Sequence, residues 1–262
     1  MIQTNRKKNY LFFVGGIPVL LVLVLLGVRW FGQPPASVIS DGIMEQTQFP
    51  QDADAVVATV DGAPVTLEEF KVRLPKHRAE IMTYFQQTYG CDPGGTDFWS
   101  TPCGGEAPFA RLKAVTLRLL IEDRVRELAA DRAGIPVAIG YNAFLKEWEA
   151  ENRTRADRLA AGQVIYGPRE YSEPAYYRYV VSSTILGLKQ WLLEHDGPPT
   201  EEQLRQAYAD SVSGQSAPPA FEAVRDALAQ QWSEERYESW FKAQLEQAEI
   251  EVNQQVYEGI ML

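Results

Sequence analysis

Strand-like sequence occurs in two short stretches near opposite ends of the chain's main part, and this arrangement constrains the fold most. The first, VATVDGAPVT at 57–66, has two apolar runs around an Asp-Gly pair, a strong signal for a hairpin turn. The second, at 250–252, alternates apolar and polar residues. Because a strand needs a partner for its backbone groups, we expect the two stretches to pair. The predicted β clasp consists of Val57, Val60, Asp61, Gly62, Val65, Ile250 and Val252.

The sequence between these stretches is typical of helices. Thr66 with Glu69 and Thr200 with Gln203 form capping-box patterns, which mark helix starts. The segment 108–133 has apolar residues over a wide face, which predicts a central, buried helix. The predicted fold class is therefore mainly α with one small sheet. Further helices are expected at about 140–160, 172–195, 200–210 and 220–248.

Residues 10–31 are predicted to form a transmembrane anchor. The run from Leu11 to Val28 is uncharged and long enough to span a bilayer as a helix. Three cations precede it, so the positive-inside bias places residues 1–9 in the cytoplasm and the main domain outside, at the cell surface or in the periplasm. A cleavable signal peptide is the alternative, but bulky Trp30 and Phe31 follow the run where small residues would be needed.

Residues 32–55 are rich in Pro, Gly and acids and are predicted to be a linker. The formal net charge is −10, while residues 1–30 contribute +4, so the remainder carries −14. Such an acidic domain repels nucleic acid, and we expect no nucleic-acid partner. Contact with the membrane is expected only through the anchor.

Cys91 and Cys103 are the chain's two cysteines, and they flank a loop rich in Gly, Pro and Asp. In an extracytoplasmic domain we expect them to form a disulfide, with free thiols as the alternative. No His or further Cys lies near them, so neither a metal nor a cofactor is expected there.

Aromatic residues are frequent between 166 and 191. Tyr and Trp offer large amphipathic surfaces that suit the recognition of extended chains. Packing between helices is the alternative explanation for each residue. The candidate binding residues are Tyr166, Tyr171, Tyr176, Tyr177, Tyr179 and Trp191.

The unit VATVDGAPVTLEEF at 57–70 resembles the opening hairpin and first helix of the SurA and PrsA type (PpiC-like) extracytoplasmic chaperones. Residues 198–211 resemble the helix that leads into that family's parvulin domain, and residues 221–232 resemble the helix that follows it. Residues 248–256 resemble the closing strand. The resemblance implies a SurA-N-like helical chaperone domain over residues 56–262.

One departure from the family concerns catalysis. Only nine residues separate Ser211 from Phe221, whereas a folded domain needs at least about 50. The parvulin insertion is therefore missing between 211 and 221. His77 and His195 are the only histidines, and neither lies in the context of a parvulin site. No other catalytic motif is present, so we expect no enzyme activity.

The sequence thus predicts a membrane-anchored chaperone that binds unfolded or secreted polypeptides without isomerase activity. An interaction module that docks one dedicated partner in a membrane complex is the alternative, and a degenerate peptidyl-prolyl isomerase is a third interpretation. Whether the chain forms a homodimer is left open.

Overall fold

The computed structural model describes residues 47–50, 55–214 and 216–262. The predicted anchor at 10–31 and most of the predicted linker at 32–55 lie outside these ranges. Within them, no helix is both long and apolar enough to cross a membrane. The described domain is mainly helical with a small three-stranded sheet, as the sequence predicts.

The sheet consists of β1 (Val56–Val60), β2 (Ala63–Thr66) and β3 (Ile250–Val252) in the order β2-β1-β3, with both pairs antiparallel. Asp61 and Gly62 form the hairpin turn, and both have positive φ, at 48° and 79°. Pro64 lies in edge strand β2, where a missing N–H is tolerated. The predicted pairing of the chain's distant segments is thus present.

Asp61 joins three parts of the domain. Its backbone N–H donates to the carbonyl of Glu249 (2.8 Å), and its carboxylate accepts from the Glu249 N–H (2.8 Å). The same carboxylate pairs with Arg132, 3.2 Å away. The hairpin tip is therefore tied both to the C-terminal strand and to the end of the long central helix.

The helices begin and end close to the predicted positions. Thr200 forms the complete predicted capping box with Gln203. Thr66 accepts from the Glu69 N–H (3.2 Å), but the Glu69 side chain pairs with Arg124 instead of completing a box. The helices are α1 (Leu67–Arg73), α2 (Arg78–Tyr89), α3 (Pro108–Arg132), α4 (Tyr141–Ala160), α5 (Glu173–Asp196), α6 (Glu201–Val212), α7 (Phe221–Gln247) and α8 (Gln254–Glu258), and a 3₁₀ turn (Leu74–His77) joins α1 to α2.

Helix α3 is central, as its wide apolar face predicts. It packs against the hairpin, α1, α2, α5 and α7. Leu112 and Leu120 of α3 are buried in one core with Phe70, Phe85 and Ile260. Because Ile260 lies near the C-terminus, the chain's last residues contribute directly to the main core.

Cys91 and Cys103 form a disulfide that closes the loop between α2 and α3. Inside this loop, the buried Phe98 ring packs edge-on against Phe85 of α2, with the ring centroids 6.2 Å apart. The disulfide therefore holds a core residue in place as well as a surface loop.

Helices α6 and α7 form a hairpin with a small apolar cluster of its own, centred on Leu204, Phe221 and Leu228. Residues 213–220 connect the two helices. A connection of this length has no room for an inserted domain.

Candidate functional site

The loop at 161–172, between α4 and α5, is held from behind by α4. The Arg155 guanidinium donates to the carbonyls of Tyr166 and Pro168, the latter at 3.1 Å, and pairs with Glu151 at 3.2 Å. It also lies 4.6 Å from the Tyr171 ring centroid. Because this buried cation is satisfied mainly by the loop's own carbonyls, it fixes the path of the loop.

Two more side chains of α4 hold the end of the loop at Tyr171. The Asn152 amide accepts from the Tyr171 N–H (2.8 Å) and donates to the Tyr171 carbonyl (2.9 Å). The Trp148 indole N–H donates to the same carbonyl at 2.7 Å. These bonds leave the opposite side of the loop free to face solvent.

That opposite side presents two apolar side chains. Val164 is 84% exposed and Tyr166 is 90% exposed, and they are the most exposed large apolar residues in the part of the chain that the structure describes. Apolar groups held open to water on a fixed loop are typical of a contact surface, since the loop is already ordered before a partner arrives.

Further aromatic and apolar side chains lie on α5, which follows the loop. The Tyr171 ring stacks on Tyr179, with centroids 5.7 Å apart, and both rings contact Tyr176. Tyr176 is buried, whereas Tyr179 is half exposed. About one turn further along α5, Ser182 and Ser183 are exposed, and about two turns from Tyr179, Leu186 is 68% exposed.

We call the surface formed by Val164, Tyr166, Tyr179 and Leu186 the tyrosine face. Its four side chains are uncharged, and exposed charged residues such as Arg169, Glu170 and Arg178 lie near them in the sequence. Of the six predicted binding residues, Tyr166 and Tyr179 lie on it, and Tyr171 and Tyr176 support it from beneath. Val164 and Leu186 were missed, because an apolar residue in a loop or on a helix does not reveal its exposure in the sequence.

Tyr177 and Trp191 lie elsewhere. The Tyr177 hydroxyl donates to Asp123, and the Arg73 guanidinium lies 3.6 Å from its ring centroid. Burial raises the pKa of Tyr177 well above its ordinary value. Trp191 stacks on His195 (4.1 Å) and contacts Trp240 of α7 (6.1 Å). Both residues pack between helices, which is the alternative that the sequence left open.

A buried ionic cluster, which the sequence did not predict, lies in the domain interior near Tyr177. Arg124 of α3 is 1% exposed and pairs with Glu69 (2.9 Å) and Glu127 (2.8 Å). The Gly140 N–H also donates to Glu127 (3.0 Å). Burial raises the pKa of both Glu69 and Glu127 to about 7, although Arg124 opposes the shift.

The ionic cluster borders an internal cavity of about 20 Å³, which is enough for roughly one water molecule. A polypeptide side chain or an organic substrate would not fit into it. Elsewhere among the described residues, no group of three or more His, Cys, Asp or Glu side chains is placed to hold a metal ion. The open tyrosine face is therefore the stronger candidate for a functional site.

One characterised protein is similar to most of this chain. It comes from Bifidobacterium longum subsp. longum and is described as "Chaperone for lacto-N-biosidase". The two sequences are 24% identical over 211 residues, which cover 76% of this chain and 72% of the relative. No protein-family model matches the chain, and no solved structure matches it. The similarity thus extends over most of both proteins and involves a relative named for chaperone activity.

Proposed function

We propose that this protein is a membrane-anchored extracytoplasmic chaperone that binds non-native segments of a client protein on the tyrosine face. The observation that carries the proposal is the exposure of Val164 and Tyr166 on a loop fixed from behind by Arg155 and Asn152. A surface that is ordered in advance loses little conformational entropy on binding, so it can hold a client without an energy source. Binding alone lowers the concentration of free unfolded client by mass action.

The client range is proposed to be narrow. The relative from Bifidobacterium longum is named as the chaperone of a single enzyme. The tyrosine face is also a small patch rather than a broad apolar cradle. We therefore propose one secreted or surface enzyme as the principal client, which combines the chaperone interpretation with that of a dedicated partner.

The resemblance to SurA and PrsA type chaperones also supports the chaperone proposal. It rests on residues of the hairpin and of the C-terminal strand, which do not belong to the tyrosine face. The absence of sequence for a parvulin domain between α6 and α7 leads us to propose that prolyl isomerisation is not part of the function. The anchor at 10–31 would keep the chaperone at the membrane, where secreted chains emerge.

The proposal is tested with the full chain in lipid nanodiscs, mixed with an unfolded, reduced secreted protein whose aggregation is followed by light scattering. We expect the native chain to suppress aggregation and the Val164→Ser, Tyr166→Ser double variant to suppress it at least about threefold less. Met261→Ser is the matched control, because Met261 is also exposed but lies outside the tyrosine face. All variants should keep the native melting temperature, since exposed side chains contribute little to stability.

A second assay on the same samples measures the isomerisation of a proline peptide, for which we expect only the uncatalysed rate. Failure of the native chain to suppress aggregation of the unfolded secreted protein would overturn the chaperone proposal. Equal suppression by the native chain and the double variant would overturn the assignment of the tyrosine face. Isomerisation above the uncatalysed rate would contradict the absence of an isomerase site.

A further inference from the structure

A second surface, on another part of the domain, has a free hydrogen-bonding edge. Strand β3 lies at the end of the sheet, and no described strand pairs with its outer side. At the two ends of the β1–β3 pairing, the Glu249 carbonyl accepts a hydrogen bond from the Asp61 N–H, and the Asn253 N–H donates one to the Val57 carbonyl. In an antiparallel pair, every second residue of a strand directs its backbone N–H and C=O groups to the partner strand, and the residues between them direct theirs to the other side. The N–H and C=O groups of Ile250 and Val252 therefore point away from β1.

An open groove of about 430 Å³ lies beside this edge. Ile250 and Val252 line it from the strand, and Ile250 is 41% exposed. The other walls come from α3, the end of α7, and α8, and they are mainly apolar. They include Leu117, Ile121, Leu245 and Tyr257.

A free strand edge beside an apolar groove fits one class of ligand particularly well. An extended polypeptide offers N–H and C=O groups at the spacing of the edge, and it directs every second side chain to one face. Those side chains would enter the groove, while the intervening ones would face solvent. A helix satisfies its own backbone groups and would leave the edge unpaired.

The charge around the groove restricts the class of ligand further. Residues 243–262 contain four glutamates and no lysine or arginine. Arg118, which borders the groove, is already paired with Glu122 at 2.6 Å. Two copies of β3 would bring like charges together, which disfavours edge-to-edge pairing of this chain with itself. A segment with cationic residues on its flanks is favoured.

We propose that β3 and its groove bind an extended apolar segment of the client, flanked by Lys or Arg, as a fourth strand of the sheet. This inference rests on the proposed function, because it describes how a second region of the same client is held. The bound segment would lie in the order β2-β1-β3-client, with alternate side chains against Leu117 and Ile121.

The test uses the full chain and a fluorescent nonapeptide, Lys-Lys-Val-Thr-Val-Thr-Val-Lys-Lys, with binding followed by anisotropy. Three matched peptides serve as controls. One replaces the lysines by glutamates, and the other two carry methyl groups on alternate backbone nitrogens, each along one edge of the extended peptide. Ala114→Trp blocks the groove from an exposed position on α3. The control Ala227→Trp is exposed on α7 and lies about 27 Å along the helix from Leu245.

We expect the lysine peptide to bind at least about tenfold more tightly than the glutamate peptide. Methylation on the edge that faces β3, or the Ala114→Trp substitution, should weaken binding by a similar factor, whereas Ala227→Trp should leave it unchanged. Peptide binding should also slow hydrogen exchange at the Ile250 and Val252 amides. The inference would be overturned if the lysine peptide did not bind, or if it bound Ala114→Trp as tightly as the native chain. It would also be overturned if methylation on neither edge of the peptide changed the affinity.

The outcome separates this inference from the proposed function. If the native chain suppresses aggregation but the peptide results are negative, the groove assignment fails and the chaperone proposal stands. If the peptide binds as expected but no unfolded protein is protected, the chaperone proposal fails and the groove is a peptide site with another role.

Discussion

The buried ionic cluster should make the domain less stable as the pH rises from 5 to 8. Three arginines face four carboxylates within it, so the fully ionised cluster carries one excess negative charge away from water. One bound proton would neutralise that excess, and Glu69 or Glu127, whose pKa values are raised to about 7, would take it up. Arg73 and Arg126, each paired with a carboxylate of its own, line the same cavity and extend the cluster beyond Arg124, Glu69 and Glu127. Its members are therefore Arg73, Arg124, Arg126, Glu69, Asp123, Glu127 and Glu173.

The sign and size of the effect follow from proton linkage. A carboxyl with a folded pKa of about 7 and an ordinary value of 4.5 binds its proton more tightly in the folded state. The stabilisation that this carboxyl gives the folded state is fully present below pH 4.5 and is lost as the pH rises through 7. For one proton this loss is about 3 kcal/mol of unfolding free energy, which is a substantial part of the stability of a typical domain.

Urea unfolding at pH 5 and pH 8, followed by tryptophan fluorescence, measures the effect in the native chain and in Glu127→Gln. We expect the native chain to lose about 2–3 kcal/mol over this range, since pH 5 already lies above the ordinary value of 4.5, and the variant to lose much less, because its cluster is neutral without a proton. Burial lowers the pKa of His77, so this residue makes the domain more stable as the pH rises. The effect is the same in the native chain and in the variant, and it cancels when the two are compared. Glu122→Gln, which changes a carboxylate outside the cluster, should behave as the native chain does. A native stability that rises with pH in this comparison, or an unchanged loss in Glu127→Gln, would refute the reasoning.

Three further predictions concern the clasp, the disulfide and the loop. Deleting residues 249–262 removes β3 and the buried Ile260, so the melting temperature should fall by roughly 10 °C or more, and an unchanged value would contradict the role of the clasp. The Cys91→Ser, Cys103→Ser variant should be less stable in urea by about 3 kcal/mol, and equal stability would show that the loop needs no cross-link. Asn152→Ala should speed proteolysis within 161–172 and weaken client binding, while Asn142→Ala, exposed on the same helix, should do neither.

The features that the sequence predicts correctly depend on local signals. The Asp-Gly pair fixes the hairpin turn, and Thr200 with Gln203 begins α6 with the predicted capping box. The pairing of β3 with β1 was also predictable, since few strand partners were available. In each case the sequence leaves few alternative structures for the segment.

The ionic cluster could not be predicted in this way, because its pairs join distant parts of the chain. Arg124 and Glu69 are 55 residues apart, and Glu69 alone suggests a helix cap. Arg124 does lie four residues after the buried Leu120, on the apolar face of α3, and this spacing is a local signal of its burial. Its partners, however, appear only when α1 and α3 are packed together.

The tyrosines show how helix geometry could have improved the prediction. Tyr176 and Tyr179 are three residues apart and share a face of α5, whereas Tyr177 is rotated by about 100° from Tyr176. The spacing alone therefore separates Tyr177 from the other two, as the structure does. The exposure of Val164 and Tyr166 could not be deduced, because it depends on how Arg155 turns the loop outward.

The scaffold contacts explain why the tyrosine face can remain both apolar and open to water. A flexible loop would fold Val164 and Tyr166 against the domain to bury their apolar area. Arg155 opposes this, because moving the loop would remove two carbonyl partners and leave the buried guanidinium with Glu151 alone, and an incompletely satisfied buried charge costs free energy. Burying both side chains would recover about 3–6 kcal/mol, which is opposed by the combined loss of the Arg155, Asn152 and Trp148 hydrogen bonds to the loop. The exposed surface is therefore maintained by the polar contacts behind it, and loss of those contacts should close the site without unfolding the domain.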